Sequence, residues 1–111
     1  MAKTGWKKRE LEAASILHGR RFPANTGGGI DVESPGVVAQ VKARRIFSLA
    51  QVETAALEIE RIGNQKQKAG ILMLKRSAGK GQETPWLVCM TAAVFKELNG
   101  PLPTEPEGPG A

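Results

Sequence analysis

Asp31, Gln40 and Lys42 are the residues of this chain whose types and spacing best suit shared chemistry. Asp31 lies in Ile30-Asp31-Val32-Glu33-Ser34, an alternating segment that follows Gly27-Gly28-Gly29. Pro35-Gly36 is a tight-turn signal. Val37-Val38-Ala39-Gln40-Val41-Lys42 then alternates again, so residues 29–43 are predicted to form a hairpin. Side chains on a strand alternate with period two. Val37, Ala39 and Val41 therefore share one face of the second strand, and Val38, Gln40 and Lys42 share the other. The hairpin would bring an acid, an amide and an amine to one end of a sheet, a set that suits hydrolysis of a phosphodiester. Mg²⁺ takes hard oxygen ligands and keeps several of its waters. Asp31 offers it a charged oxygen and Gln40 a neutral one. A bound metal polarises the phosphoryl oxygen and lowers the pKa of its water. Lys42 could hold the attacking hydroxide or stabilise the charge that develops on phosphorus. An acid followed by Gln-x-Lys is a short pattern that chance also produces.

The elements needed to position these residues can be read around them. Residues 6–18 have the helical spacing of Leu11, Ala14 and Leu17, with Gly19 placed to end the helix. Residues 20–24 read as an irregular or edge strand because of Pro23. Asn25 to Gly29 is a turn in which backbone could approach a ligand closely. Residues 48–64 form the longest predicted helix, with Ser48 as N-cap, Gln51 at the reaching-back position of a capping box, and Gly63-Asn64 at its end. Ala69 to Leu74 is nearly continuous apolar sequence and reads as a central strand. A polar loop follows over residues 77–85, then a second buried strand, Trp86 to Met90, and a short helix capped by Thr91. The resulting expectation is an α/β fold of order α-β-β-β-α-β-β-α. A mixed central sheet flanked by helices makes residues 1–98 a single domain, and residues 99–111 form a Pro/Gly-rich disordered tail.

Composition narrows the classes of function. The chain has 111 residues and a formal net charge of +5, with a pI near 9.7. Such a balance suits a polyanionic partner such as nucleic acid, and an acidic membrane surface would account for the same charge. The basic residues come in groups: Lys3, Lys7, Lys8 and Arg9; Arg20 and Arg21; Lys42, Arg44 and Arg45; Lys66 and Lys68; and Lys75, Arg76 and Lys80. No apolar run is long enough to span a membrane and no signal-peptide pattern opens the chain, so no membrane partner is expected. The lone cysteine, Cys89, cannot form an internal disulfide, which fits a reducing cytoplasm. It reads as a small buried hydrophobe. His18, the only histidine, reads as a helix-end surface residue. With 5% aromatic residues and no tyrosine, recognition by stacking on single strands is not expected.

Gly29-Ile30-Asp31 followed by Gln40-Val41-Lys42 resembles the signature of the PD-(D/E)XK nuclease superfamily, and the element order resembles its restriction-endonuclease-like core. Within that superfamily the stretches KKRELEAASIL, NTGGGID and AQVKARR are most similar to archaeal-type Holliday junction resolvases. The resemblance spans roughly residues 6–98. It implies an Mg²⁺-dependent endodeoxyribonuclease, with Mn²⁺ able to substitute, that makes paired cuts in four-way DNA junctions. It implies Asp31 as principal metal ligand, Lys42 as catalytic lysine and Glu10 as a further metal ligand from the first helix, with Glu12 as its competitor. Gln40 would be the third ligand and departs from the usual acid, so the site carries one negative charge fewer. Glu33, two residues past Asp31 and on the same side of the strand, could restore it. Gln51 corresponds to a polar helical residue that orients water or contacts a phosphate. Lys8, Arg9, Arg20, Arg21, Thr26, Arg44 and Arg45 would bind the DNA backbone, which positions DNA without reading its sequence. Symmetric cutting of two strands implies a homodimer. The apolar stretch from Trp86 to Leu98 is a candidate interface, with Phe95 as anchor.

Overall fold

The computed structural model describes residues 2–22 and 29–101. The expected tail beyond Pro101, the glycine-rich turn before Gly29, Pro23 and Thr26 lie outside the described residues. The elements run α1 (Ala2–Leu17), β1 (Arg20–Arg21), β2 (Val32–Glu33), β3 (Val37–Arg44), α2 (Leu49–Lys66), β4 (Ala69–Arg76), β5 (Trp86–Cys89) and α3 (Ala92–Asn99). The fold is α/β, in the expected order. The strands form one mixed sheet in the order β1-β2-β3-β4-β5. Only β3 and β4 pair in parallel, joined through α2; the other neighbours are antiparallel.

The period-two pattern of β3 sets up two cores. Ala39 and Val41 face one way, with Val32, Ile71 and Met73, and pack against Ala13 and Ala14 of α1 and Val94 of α3. Val38 faces the other way with Ile30, Leu72 and Leu74, against Ala56, Ile59 and Ile62 of α2. Burial on both sides explains why β4 is nearly all apolar: its residues from Gly70 to Lys75 are all buried.

Several elements differ from the sequence expectation for physical reasons. On α1 the inner face is Glu10, Ala13, Ala14 and Leu17, spaced as one helical stripe, while Leu11 is rotated off it and is half exposed. That helix ends at Leu17, and His18 rather than Gly19 takes the left-handed conformation, at φ 54°. The strand expected over Ile30 to Ser34 is reduced to Val32–Glu33. α2 does not stop at Gly63-Asn64 but runs to Lys66, where Gln67 takes φ 59° and donates its N–H to Asn64 O and Gly63 O. Gly63 serves contact instead: a Cβ there would lie 2.6 Å from Lys68 O and 2.8 Å from Gly70 N. Gly70 answers it from β4, since a Cβ there would overlap the Ile59 carbonyl. β5 is not a buried strand. It forms the sheet edge, with Leu87 and Val88 about half exposed, and only Trp86 and Cys89 pack on the cores. Ser48 and Thr91 cap α2 and α3 as expected, accepting from Gln51 N at 3.1 Å and Val94 N at 3.2 Å.

The α2–β4 contact is thus backbone against backbone at paired glycines. Gly70→Ala is expected to destabilise the fold by about 3 kcal/mol or more, because neither backbone can retreat without opening the core. Urea unfolding measures this. A loss within about 0.5 kcal/mol would show that the contact yields.

Candidate functional site

The site forms where β2 leaves β3. The ladder pairs Glu33 with Val38 and Val32 with Ala39, so the next positions of β3 would face Asp31 and Ile30. The pairing stops there. The Asp31 backbone is pinned on both sides: its N–H donates to Ala39 O at 2.9 Å, and its carbonyl accepts from Phe22 N at 2.8 Å. Its side chain turns to β3, where Oδ2 accepts the Val41 N–H at 2.8 Å. The carboxylate therefore lies against the backbone between Gln40 and Lys42.

Gln40 is buried, on the face of β3 that packs toward α2. Its Nε2 donates to Gly29 O at 2.8 Å. A carbonyl only accepts, so the amide nitrogen must face Gly29 and the amide oxygen must face away. That oxygen makes no hydrogen bond among the described residues, and no buried polar side-chain atom among them lacks a partner, so it is open to solvent or a ligand. Gly29 holds φ 92° here, and a Cβ on it would meet Ile62 Cδ1 at 2.9 Å, so this carbonyl needs glycine.

Lys42 shares the face of Gln40 and lines a groove of about 450 Å³ between the sheet and α2. Gln51 lines the same groove, with Arg44, Phe47, Thr54 and Glu58. Only the backbone of Gln51 serves the Ser48 cap; its side chain makes no hydrogen bond among the described residues, so the reciprocal half of the capping box is not formed.

Glu10 lies on the other face of the sheet, on α1, and is connected to Asp31 through Arg21. It is buried and accepts from Arg21 Nε at 2.7 Å, and the Arg21 charge also acts on Asp31. Its competitor Glu12 turns away toward β5, accepting from Trp86 Nε1 at 3.3 Å and Arg9 at 3.4 Å. Glu33 does not join the site. Its Oε2 holds Lys68 at 2.5 Å and Lys66 at 3.2 Å, and these ammonium groups keep its carboxyl below the usual range. The expectation that Glu33 could replace the charge missing at Gln40 is corrected by this pairing.

The basic residues divide likewise. Lys8, Arg20, Arg44 and Arg45 are exposed, with Arg20 stacked 4.9 Å from the Phe22 ring. Arg9 and Arg21 are engaged with Glu12 and Glu10. Lys75, grouped with the surface cations by sequence, is buried and donates to Thr84 O at 2.5 Å. Arg76, opposite Arg44 in the parallel ladder, adds an exposed charge to the end of the sheet.

The oxygen donors expected for a divalent cation are Asp31, Gln40 and Glu10, and among the described residues no contact joins all three. Among the described residues no group of three or more His, Cys, Asp and Glu could hold a metal ion. The free Gln40 oxygen and the second Asp31 oxygen fit a hard cation that retains waters. A metal near Glu10 would share that carboxylate with Arg21 or displace it. Comparison of the chain with known protein families, curated proteins and solved structures finds no match.

Burial raises the Asp31 carboxyl above its ordinary pKa, against the opposing pull of the Val41 N–H and the charges of Lys42 and Arg21. A raised folded-state pKa means that ionised Asp31 opposes folding. The penalty is absent below the ordinary carboxylate range and complete once pH exceeds the folded-state value. Asn keeps an oxygen for Val41 and carries no charge. Asp31→Asn is therefore expected to melt higher than the parent at pH 7 without divalent metal, with the difference shrinking toward about pH 3. A lower melting temperature at neutral pH would contradict this balance.

Proposed function

We propose that this chain is a metal-dependent, structure-selective DNA endonuclease. Its proposed substrate is the four-way Holliday junction, cut by a homodimer in paired symmetric positions. The observation that carries the reading is the Asp31 carboxylate bonded to the backbone N–H of Val41, the residue between Gln40 and Lys42, within reach of the Lys42 charge. The resemblance to the PD-(D/E)XK superfamily supports this reading.

Asp31 and Gln40 would hold Mg²⁺, or Mn²⁺ in its place, with Glu10 the third candidate. When bound, the ion supplies Lewis-acid activation of the phosphoryl oxygen and of a water. Lys42 orients that water and stabilises the extra negative charge as a P–O bond forms and the bond to the leaving oxygen breaks. The leaving oxygen takes up a proton, giving a phosphate monoester and a free hydroxyl. Gln51, across the groove from the strand, positions the water or a neighbouring phosphate. Arg44, Arg45, Arg20 and Lys8 bind the backbone of the DNA arms.

The half-exposed Leu87, Val88, Phe95 and Leu98 offer the dimer an apolar surface. No helix among the described residues is long and apolar enough to cross a membrane. The proposed setting is a bacterial, archaeal or phage-infected cytoplasm. The neutral Gln40 and the Arg21–Glu10 pair favour one second reading, a DNA-binding module without catalysis.

Incubation with a synthetic four-way junction and a matching linear duplex, with and without Mg²⁺, separates these readings. The expected result is symmetric nicking of the junction only when metal is present, lost by at least about a hundredfold in Lys42→Ala and abolished in Asp31→Asn, with junction binding retained. Equal cutting of both substrates would indicate a nuclease for another DNA structure. Binding without cleavage at any metal concentration would contradict the enzymatic reading.

A further inference from the structure

The turn between β3 and α2 carries two large apolar side chains that the fold does not use. Ile46 is 82% exposed and Leu49 is 83% exposed, while the other exposed large hydrophobics lie between 47% and 57%. Isolated exposed hydrophobics are ordinary. These two stand three positions apart on either side of the Ser48 cap. The apolar contact that normally fixes a helix entry is already made by others: Phe47, before the cap, and Val52, in the first turn, both pack on the core beneath α2. Ile46 and Leu49 add nothing to that contact.

Their surroundings are cationic. Arg44 and Arg45 precede them and are exposed, and Ile46 shares a shallow cleft with Arg45 and Arg76. An apolar tip beside exposed guanidinium groups complements a duplex whose phosphates meet the arginines while its base stack receives the tip. Lys42 lies four residues before Ile46, so their Cα atoms are at most about 15 Å apart along the chain. Both can engage one DNA molecule.

We propose that Ile46 and Leu49 form a wedge that enters the interrupted base stack at a DNA branch point and thereby selects branched over continuous duplex DNA. The proposal rests on the reading of DNA as partner and deepens it by naming what distinguishes the substrate. At a branch the stack is already broken, so insertion there avoids most of the unstacking cost that a continuous helix would impose, a few kcal/mol per step.

The test uses the full chain in EDTA and a four-way junction carrying 2-aminopurine in a base pair at the branch. Wild type is expected to raise the 2-aminopurine fluorescence on binding. The double variant Ile46→Ser, Leu49→Ser is expected to lose that rise and to bind the junction about tenfold more weakly, with unchanged affinity for linear duplex. Both side chains are exposed, so the variant should keep the parental melting temperature. An equal fluorescence rise in the variant, or no rise in a wild type that binds, would overturn the wedge. So would conversion of a dimer to a monomer in the variant by sedimentation, which would assign the patch to a second copy. Loss of co-sedimentation with phosphatidylserine vesicles at unchanged junction affinity would assign it to a lipid surface and overturn the wedge as well. The wedge and the chemistry fail separately. A fluorescence rise without Mg²⁺-dependent cutting sustains the wedge and refutes the nuclease, whereas cutting that is equally junction-selective in the variant refutes the wedge alone. A wild type that binds no DNA refutes both.

Discussion

Where β2 departs from β3, the Val41 N–H has no strand to pair with, and the Asp31 carboxylate accepts it at 2.8 Å. Val41 is 1% exposed, so an unmet N–H there would cost about 1–3 kcal/mol. The requirement that buried backbone donors be satisfied thus places a charged oxygen beside the two β3 residues that could share its chemistry. Continued pairing would have satisfied Val41 through backbone alone and removed the reason for an acid at this point. The break in the ladder and the candidate site are one feature.

The charges around that feature are arranged in opposition. Asp31 and Glu10 are the acids; Lys42 and Arg21 are the bases whose charges act on Asp31, and Arg21 also binds Glu10. Burial nonetheless outweighs these attractions at Asp31 and raises its pKa. A cation bound beside this carboxylate would offset that cost of burial. Glu33 provides the contrast within the same strand. With two lysines on one oxygen its pKa falls, and it works as a structural clasp between β2 and the segment that links α2 to β4. Two acids two residues apart therefore have opposite roles, set by their surroundings.

Much of this was legible in the sequence because it depends on local rules. Ser48 and Thr91 cap helices by side-chain chemistry that acts within a turn, the alternation of β3 assigns Gln40 and Lys42 to one face, and the unbroken apolar run of β4 marks a central strand. The features that were not legible depend on partners distant in sequence. Glu33 meets Lys68 only because β4 returns beside β3, and Arg21 turns inward because α1 presents Glu10 to it. Gly63 looked like a helix stop, and its true constraint is Gly70 on another element. Trp86 to Met90 read as buried because an apolar run does not say whether a strand has one neighbour or two. The exposure of Ile46 and Leu49 became visible only once Phe47 and Val52 were found to occupy the helix-entry contact.

The proposed cation site at Asp31 can be tested without DNA or turnover. Thermal unfolding at neutral pH and constant ionic strength, with Mg²⁺ or Mn²⁺ titrated through the millimolar range, reports binding to the folded state as a rise in melting temperature. The account predicts a saturable rise for the wild-type chain and none for Asp31→Asn. The absence of any shift in the wild type, or an equal shift in both proteins, would contradict a metal site centred on Asp31.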